Sequence, residues 1–138
     1  MKKVISSGLL AGLGMVVAGA LISYLLGLIF PSVQAEYQGN PMFRPWSDPL
    51  MSLIFVAPFI VGLVMASIWP KMKAACHPDK PCCENGVCLG LTYWFISLAG
   101  MVISYSTFRV SLLMVATWTI GGLVQALAGG WIIVKMNK

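Results

Sequence analysis

Every cysteine of the chain and its one histidine fall between Cys76 and Cys88, as Cys76, His77, Cys82, Cys83 and Cys88. Soft thiolates beside an imidazole suit Zn²⁺, Cu⁺ or another thiophilic ion. Asn85-Gly86, between Cys83 and Cys88, reads as a turn that would bring both sulfurs inward. The spacing is Cys-x5-Cys and Cys-x4-Cys with Cys82 and Cys83 adjacent, which differs from paired Cys-x2-Cys knuckles and crowds one ion. Three other readings stay open: thiols with no specific role, thiol–disulfide exchange without a Cys-x-x-Cys, or disulfides if the segment faces an oxidising compartment. No glycine-rich phosphate loop, helical His-Glu-x-x-His or Ser/His/Asp set is present. Glu36 and Asp48 are the candidate carboxylate pair, but their segment shows no pocket to drive two pKa values apart. The sequence therefore contains no complete catalytic constellation.

The elements that must carry this segment are apolar. With 59% hydrophobic and 9% charged residues and a mean hydropathy of +0.87, the chain departs from soluble domains, which are about 25% charged. Four stretches are long enough to cross a hydrocarbon core of about 30 Å: 4–30, 49–69, 89–108 and 110–134. The last two are divided by the polar run Ser104–Ser111, read as a tight turn with Arg109 at the interface. Trp69-Pro70-Lys71 reads as the close of the second span, leaving the cysteine loop at 70–88. The expected fold is all-α: a single-domain polytopic membrane protein, a four-transmembrane-helix bundle with short loops.

Charge orients the bundle. Lys2, Lys3, Lys71, Lys73, Lys80, Lys135 and Lys138 lie on the side of the termini and the cysteine loop, against Arg44 and Arg109 on the other. The positive-inside rule then places both termini and the loop in the cytoplasm and the protein in the inner (plasma) membrane. The +5 net charge follows from this bias and calls for no nucleic-acid partner. Lys2-Lys3, an apolar run and Val33-Gln34-Ala35 outline a secretory signal, but the run Val4–Phe30 exceeds the usual 7–15-residue signal core and is read as a span.

Helical spacing marks the packing faces. Gly8, Gly12, Gly19, Ser23 and Gly27 share one face of span one. Gly122, Ala126 and Gly130 form a row on span four, with Gly121, Gln125 and Gly129 beside it. Such small-residue rows admit close helix approach, within the chain or in a homo-oligomer. Tyr93, Ser97, Gly100, Ser104 and Thr107 make a polar stripe on span three, read as hydroxyls bonded to backbone or a neighbouring helix; a narrow hydrophilic path including Gln125 is the alternative. Pro58 is expected to kink span two. Pro31–Asp48, with Tyr37 and Trp46, reads as a rigid turn with interfacial anchors. No Asp, Glu, Lys or His lies within a span, where proton-coupled transporters place such groups.

Two resemblances follow from these residues. The loop resembles that of bacterial mercuric-ion transport proteins, with Cys76 and Cys82 at the positions of that family's spaced cytoplasmic pair. The family also has a vicinal cysteine pair in its first span, whereas Val4–Phe30 contains none. Pro49–Leu53, Gly100–Ser106, Val110–Val115 and Gly122–Ala126 are similar to a set of uncharacterised small prokaryotic membrane proteins with four spans, which implies a fold and no activity. The expected function is a structural or binding role in the lipid bilayer with a thiol metal site for Zn or Cu at Cys76, His77, Cys82, Cys83 and Cys88. The alternatives are a carrier for a thiophilic metal ion of the mercury, copper or zinc type, and a membrane thiol–disulfide oxidoreductase.

Overall fold

A computed structural model describes residues 2–73 and 82–137, except for the side chains of residues 82–84. The described chain is helical: α1 (Lys2–Ile29), α2 (Pro31–Gly39), a 3-10 segment (Pro49–Phe55), α3 (Ala57–Lys73), α4 (Cys82–Thr107) and α5 (Leu112–Met136). Four stretches are long and apolar enough to cross a membrane: α1, the 3-10 segment continued by α3, α4 and α5. The protein is an all-α helical bundle with the composition of a multi-pass membrane protein.

Leu, Ile, Val and Phe side chains cover the outside, among them Leu21, Ile60, Ile96 and Val102, each more than half exposed. Lipid is the solvent that accepts such a surface, because tails are as apolar as these side chains. Burying them inside the bundle would therefore gain little, and helix association must come from close packing. In its most apolar stretch α5 is 33% buried, against 17–22% in the other three spans, which makes it the central helix.

Glycines set the close contacts. On the α1–α3 seam, a Cβ at Gly12 would lie 2.7 Å from the Phe59 Cα, and one at Gly8 2.8 Å from the Leu63 Cα. On the α4–α5 seam, a Cβ at Gly90 would lie 2.6 Å from the Ala126 carbonyl oxygen, and one at Gly130 2.8 Å from the Gly90 nitrogen. Between α1 and α5, Gly19 receives the Gln125 amide and Gly129 the Met15 side chain. Both small-residue rows of α5 thus face helices of the same chain, the Gly130 row toward α4 and the Gln125 row toward α1. At the end bearing the termini, Ala11, Met15, Met65, Ala66, Trp69, Leu89, Ile133 and Val134 form the main core. A second cluster, Val110, Met114 and Val115, closes the other end beneath Val33, Tyr37, Phe43, Met101 and Trp118.

Several expected boundaries move. Pro58 does not kink a continuous helix. It falls in the first turn of α3, where a missing N–H removes no intrahelical bond, directly after the 3-10 segment closes with Val56 N–H donating to Leu53 O at 3.0 Å. Pro70 does not end span two. α3 runs through it to Lys73, with the adjacent Trp69 held 98% buried in the core. Asn85-Gly86 is not a turn: both residues lie in α4, where a Cβ at Gly86 would stand 2.8 Å from the Trp131 Cα. α4 therefore begins at Cys82, inside the segment 70–88 expected as the cysteine loop. The turn at Phe108–Ser111 falls where the polar run places it, with Ser111 capping α5.

Gly130→Ala should separate α4 from α5 and cost about 1–3 kcal/mol, the usual range for overpacking. Gly122→Ala, where a Cβ meets nothing within 4 Å, should change stability by less than about 0.5 kcal/mol. Thermal unfolding of the two variants in detergent checks the contrast.

Candidate functional site

The candidate thiol site is divided by what the structure describes. Cys76 and His77 lie outside the described residues. Cys82 and Cys83 open α4, but their side chains are not described. Cys88 is a free, exposed thiol about one and a half turns further along α4, and its carbonyl accepts the Thr92 hydroxyl at 2.8 Å. Among the described residues no three His, Cys, Asp or Glu side chains come together as a metal site would need. The arrangement expected from Asn85-Gly86 is replaced by helix: Gly86 serves the contact with Gly130 and Trp131 and does not fold Cys83 back toward Cys88.

The polar stripe of α4 is bonded to its own helix. Ser97 Oγ donates to Trp94 O at 2.7 Å and Ser104 Oγ to Gly100 O at 2.8 Å. Tyr93 packs against the main core, and Thr107 is exposed. The Ser97 and Ser104 protons are thus used within the helix, as expected for hydroxyls bonded to backbone. An interhelical bond joins α4 to α5, from Trp94 Nε1 to Thr119 O at 2.9 Å. Trp69 Nε1 is buried without an acceptor among the described residues. Neither indole role is legible from spacing, because each depends on where a neighbouring helix brings a carbonyl.

The richest polar geometry lies at the opposite end. Pro31 starts α2 at a position where its fixed φ suits a helix, and α2 folds the 31–48 segment back over the α4–α5 turn. The Glu36 carboxylate accepts the Ser111 N–H at 2.7 Å and its hydroxyl at 2.6 Å. Ser111 Oγ in turn accepts from Met114 N–H at 3.1 Å, so a negative charge sits on the N-terminus of α5 where free N–H groups favour it. Asn40 Nδ2 donates to Arg109 O at 3.1 Å and fastens the same turn. Tyr37 stacks on Phe43 at 4.7 Å, and Phe43 meets Trp118 edge-on at 6.0 Å.

Glu36 and Asp48 do not work as a pair, since each has its own partners. Asp48 caps the 3-10 segment by accepting Leu50 N–H at 2.9 Å and pairs with Arg44 at 2.8 Å. The Leu50 N–H first, and the Arg44 guanidinium second, hold the Asp48 carboxyl below the usual carboxylate range. Tyr37, Gln38, Asn40, Phe43, Arg44 and Trp46 are among the residues lining an open cleft of about 270 Å³ within this segment. Its charge is neutralised by the Arg44–Asp48 pair, and its rings mainly fasten the segment to the bundle.

Set against known protein families, curated proteins and solved structures, the chain matches none.

Ser111→Ala removes both the α5 cap and the hydroxyl that Glu36 holds, and should cost about 1 kcal/mol by thermal unfolding. Because the Asp48 pKa is lowered on folding, its capping contribution is complete above the unfolded value near ~3.9 and is lost only as pH falls through the lower folded value. The Leu50 amide shift followed by NMR should stay constant from neutral pH to about pH 5 and move only in stronger acid.

Proposed function

We propose that this chain is a non-catalytic inner-membrane protein whose helical bundle supports a thiol-rich segment on the cytoplasmic side, and that Cys76, His77, Cys82, Cys83 and Cys88 supply ligands for a soft metal ion such as zinc or copper. The observation that carries this reading is a separation of materials. Between the lysines at their ends the spans contain no carboxylate, amine or imidazole, and α1, α3, α4 and α5 are joined by glycine contacts and an apolar core. All cysteines and the histidine are gathered in the stretch that joins α3 to α4 and in the first turns of α4.

Thiolate and imidazole ligands match such ions by softness. The cation bias toward this end supports a cytoplasmic location, where four cysteines persist as thiols and are free to take up metal. With part of the set on α4 and part on the connecting stretch, metal binding would tie that stretch to the helix. This reading treats the metal as bound by a fixed bundle. A carrier would need a ligand path through the bilayer, and the cysteine-free first span does not supply the vicinal pair found in mercuric-ion transport proteins.

Protein purified anaerobically in detergent should carry stoichiometric zinc or copper. A variant with Cys76, Cys82, Cys83 and Cys88 all changed to serine should lose it while keeping its thermal unfolding midpoint in metal-free buffer. Four titratable thiols and no metal in the wild type would overturn the proposal.

A further inference from the structure

The end of the bundle that carries both termini holds a set of lysines, none of which forms a salt bridge with another described side chain. Lys2 and Lys3 lie in the first turn of α1, Lys71 and Lys73 in the last turn of α3, and Lys135 in the last turn of α5, all exposed. The only salt bridge among the described residues, Arg44–Asp48, is at the far end. Two of the chain's four acids, Glu36 and Asp48, are there as well, leaving only Asp79 and Glu84 on the lysine side.

The lysine-bearing helix ends converge. Val4 of α1 and Met72 of α3 pack against the core cluster that contains Ile133 and Val134 of α5. Lys73 Nζ donates to Asn137 O at 3.5 Å, so the ends of α3 and α5 are in contact. Lys135 Nζ stands 4.5 Å over the Trp131 ring, and Trp131 is 43% exposed. An exposed indole at the end of an apolar helix marks the boundary between acyl chains and headgroups. Lys135 lies one turn further out, at the level where lipid phosphates are found.

We propose that this face binds the phosphate of anionic phospholipids, with Lys73 and Lys135 as its central pair and Lys2, Lys3 and Lys71 around them. Charge complementarity selects the ligand: three converging helix ends present ammonium groups at phosphate depth, and a zwitterionic headgroup would bring its own cation into the same place. The bound lipid bridges α1, α3 and α5 and holds them together at the end where the core is largest. The proposal is independent of the thiol reading and involves no cysteine.

The test is lipid binding to detergent-purified protein by native mass spectrometry, with phosphatidylglycerol and phosphatidylcholine of the same acyl chains. Phosphatidylglycerol should bind more tightly, and the difference should shrink as salt screens the charges. The double variant Lys73→Gln/Lys135→Gln should lose about 25-fold in phosphatidylglycerol affinity, at about fivefold per lysine. Arg109→Gln, at the opposite end, should lose nothing, and the Lys73→Arg/Lys135→Arg variant should retain binding. All three variants should keep the wild-type helix content by circular dichroism, which separates lost binding from lost fold. Equal affinity for the two lipids, an unaffected double glutamine variant, or an equal loss in Arg109→Gln would overturn the proposal. Displacement of the lipid by excess inorganic phosphate would assign the site to free phosphate and overturn it as well.

Discussion

Close approach of helix backbones is the constraint on which the rest of this structure depends. In lipid an apolar side chain is as well solvated outside the bundle as inside it, so four apolar helices have no general reason to associate. Glycine supplies the reason by letting one backbone lie against another. Gly8 and Gly12 with Gly62 join α1 to α3, and Gly86 and Gly90 with Gly130 join α4 to α5. Gly19 and Gly129 admit Gln125 and Met15 between α1 and α5. The fully buried side chains Met15, Met114 and Ile133 fill the space left around these contacts, two of them flexible enough to match an irregular seam.

The two ends of the bundle are finished by different chemistry. At one end α2 and the turn after it are fastened by hydrogen bonds and rings: Glu36 on Ser111, Asn40 on Arg109, and the Tyr37–Phe43 stack. These partners are mutually satisfied, and the one described ion pair is neutral overall. At the other end the lysines form no salt bridge among the described side chains, and the chain's thiols and imidazole are collected nearby in sequence. Charges already paired within the fold stabilise it, whereas Lys73 and Lys135 meet only a carbonyl and an indole and keep their charge for an anion. The end carrying both termini is therefore the one at which the proposed metal and lipid would bind.

What the sequence made legible, and what it did not, divides along the same line. The row Gly122, Ala126 and Gly130 could be read because side-chain direction on a helix follows from spacing alone, although Gly122 meets no neighbour. The Phe108–Ser111 turn could be read because a run of polar residues interrupts a stretch too long for one crossing. Asn85-Gly86 misled because Asn-Gly is a strong local turn signal, and here contact with α5 outweighs it. Pro58 misled because its effect depends on whether it falls inside a helix or at its start, which the 3-10 segment decides. Helix α2 carried too weak a local signal against the prolines and polar residues around it, since Glu36 finds Ser111 seventy-five residues away. For the thiol site, residue types suggested a ligand set, while the described helix at Asn85-Gly86 removes the turn that was to assemble it.

The central claim is that α5 packs directly against α1 through small residues, and one proximity measurement tests it. A Cβ at Gly14 of α1 would lie 3.7 Å from Ile132 Cγ1 of α5, within reach of a disulfide once both positions carry cysteine. In a background with the native cysteines changed to serine, Gly14→Cys together with Ile132→Cys should form an intramolecular disulfide rapidly under mild oxidation in membranes. Gly14→Cys paired with Val102→Cys, on the lipid-exposed face of α4, should not. Failure of the first pair to cross-link, or equal cross-linking of both, would contradict the packing.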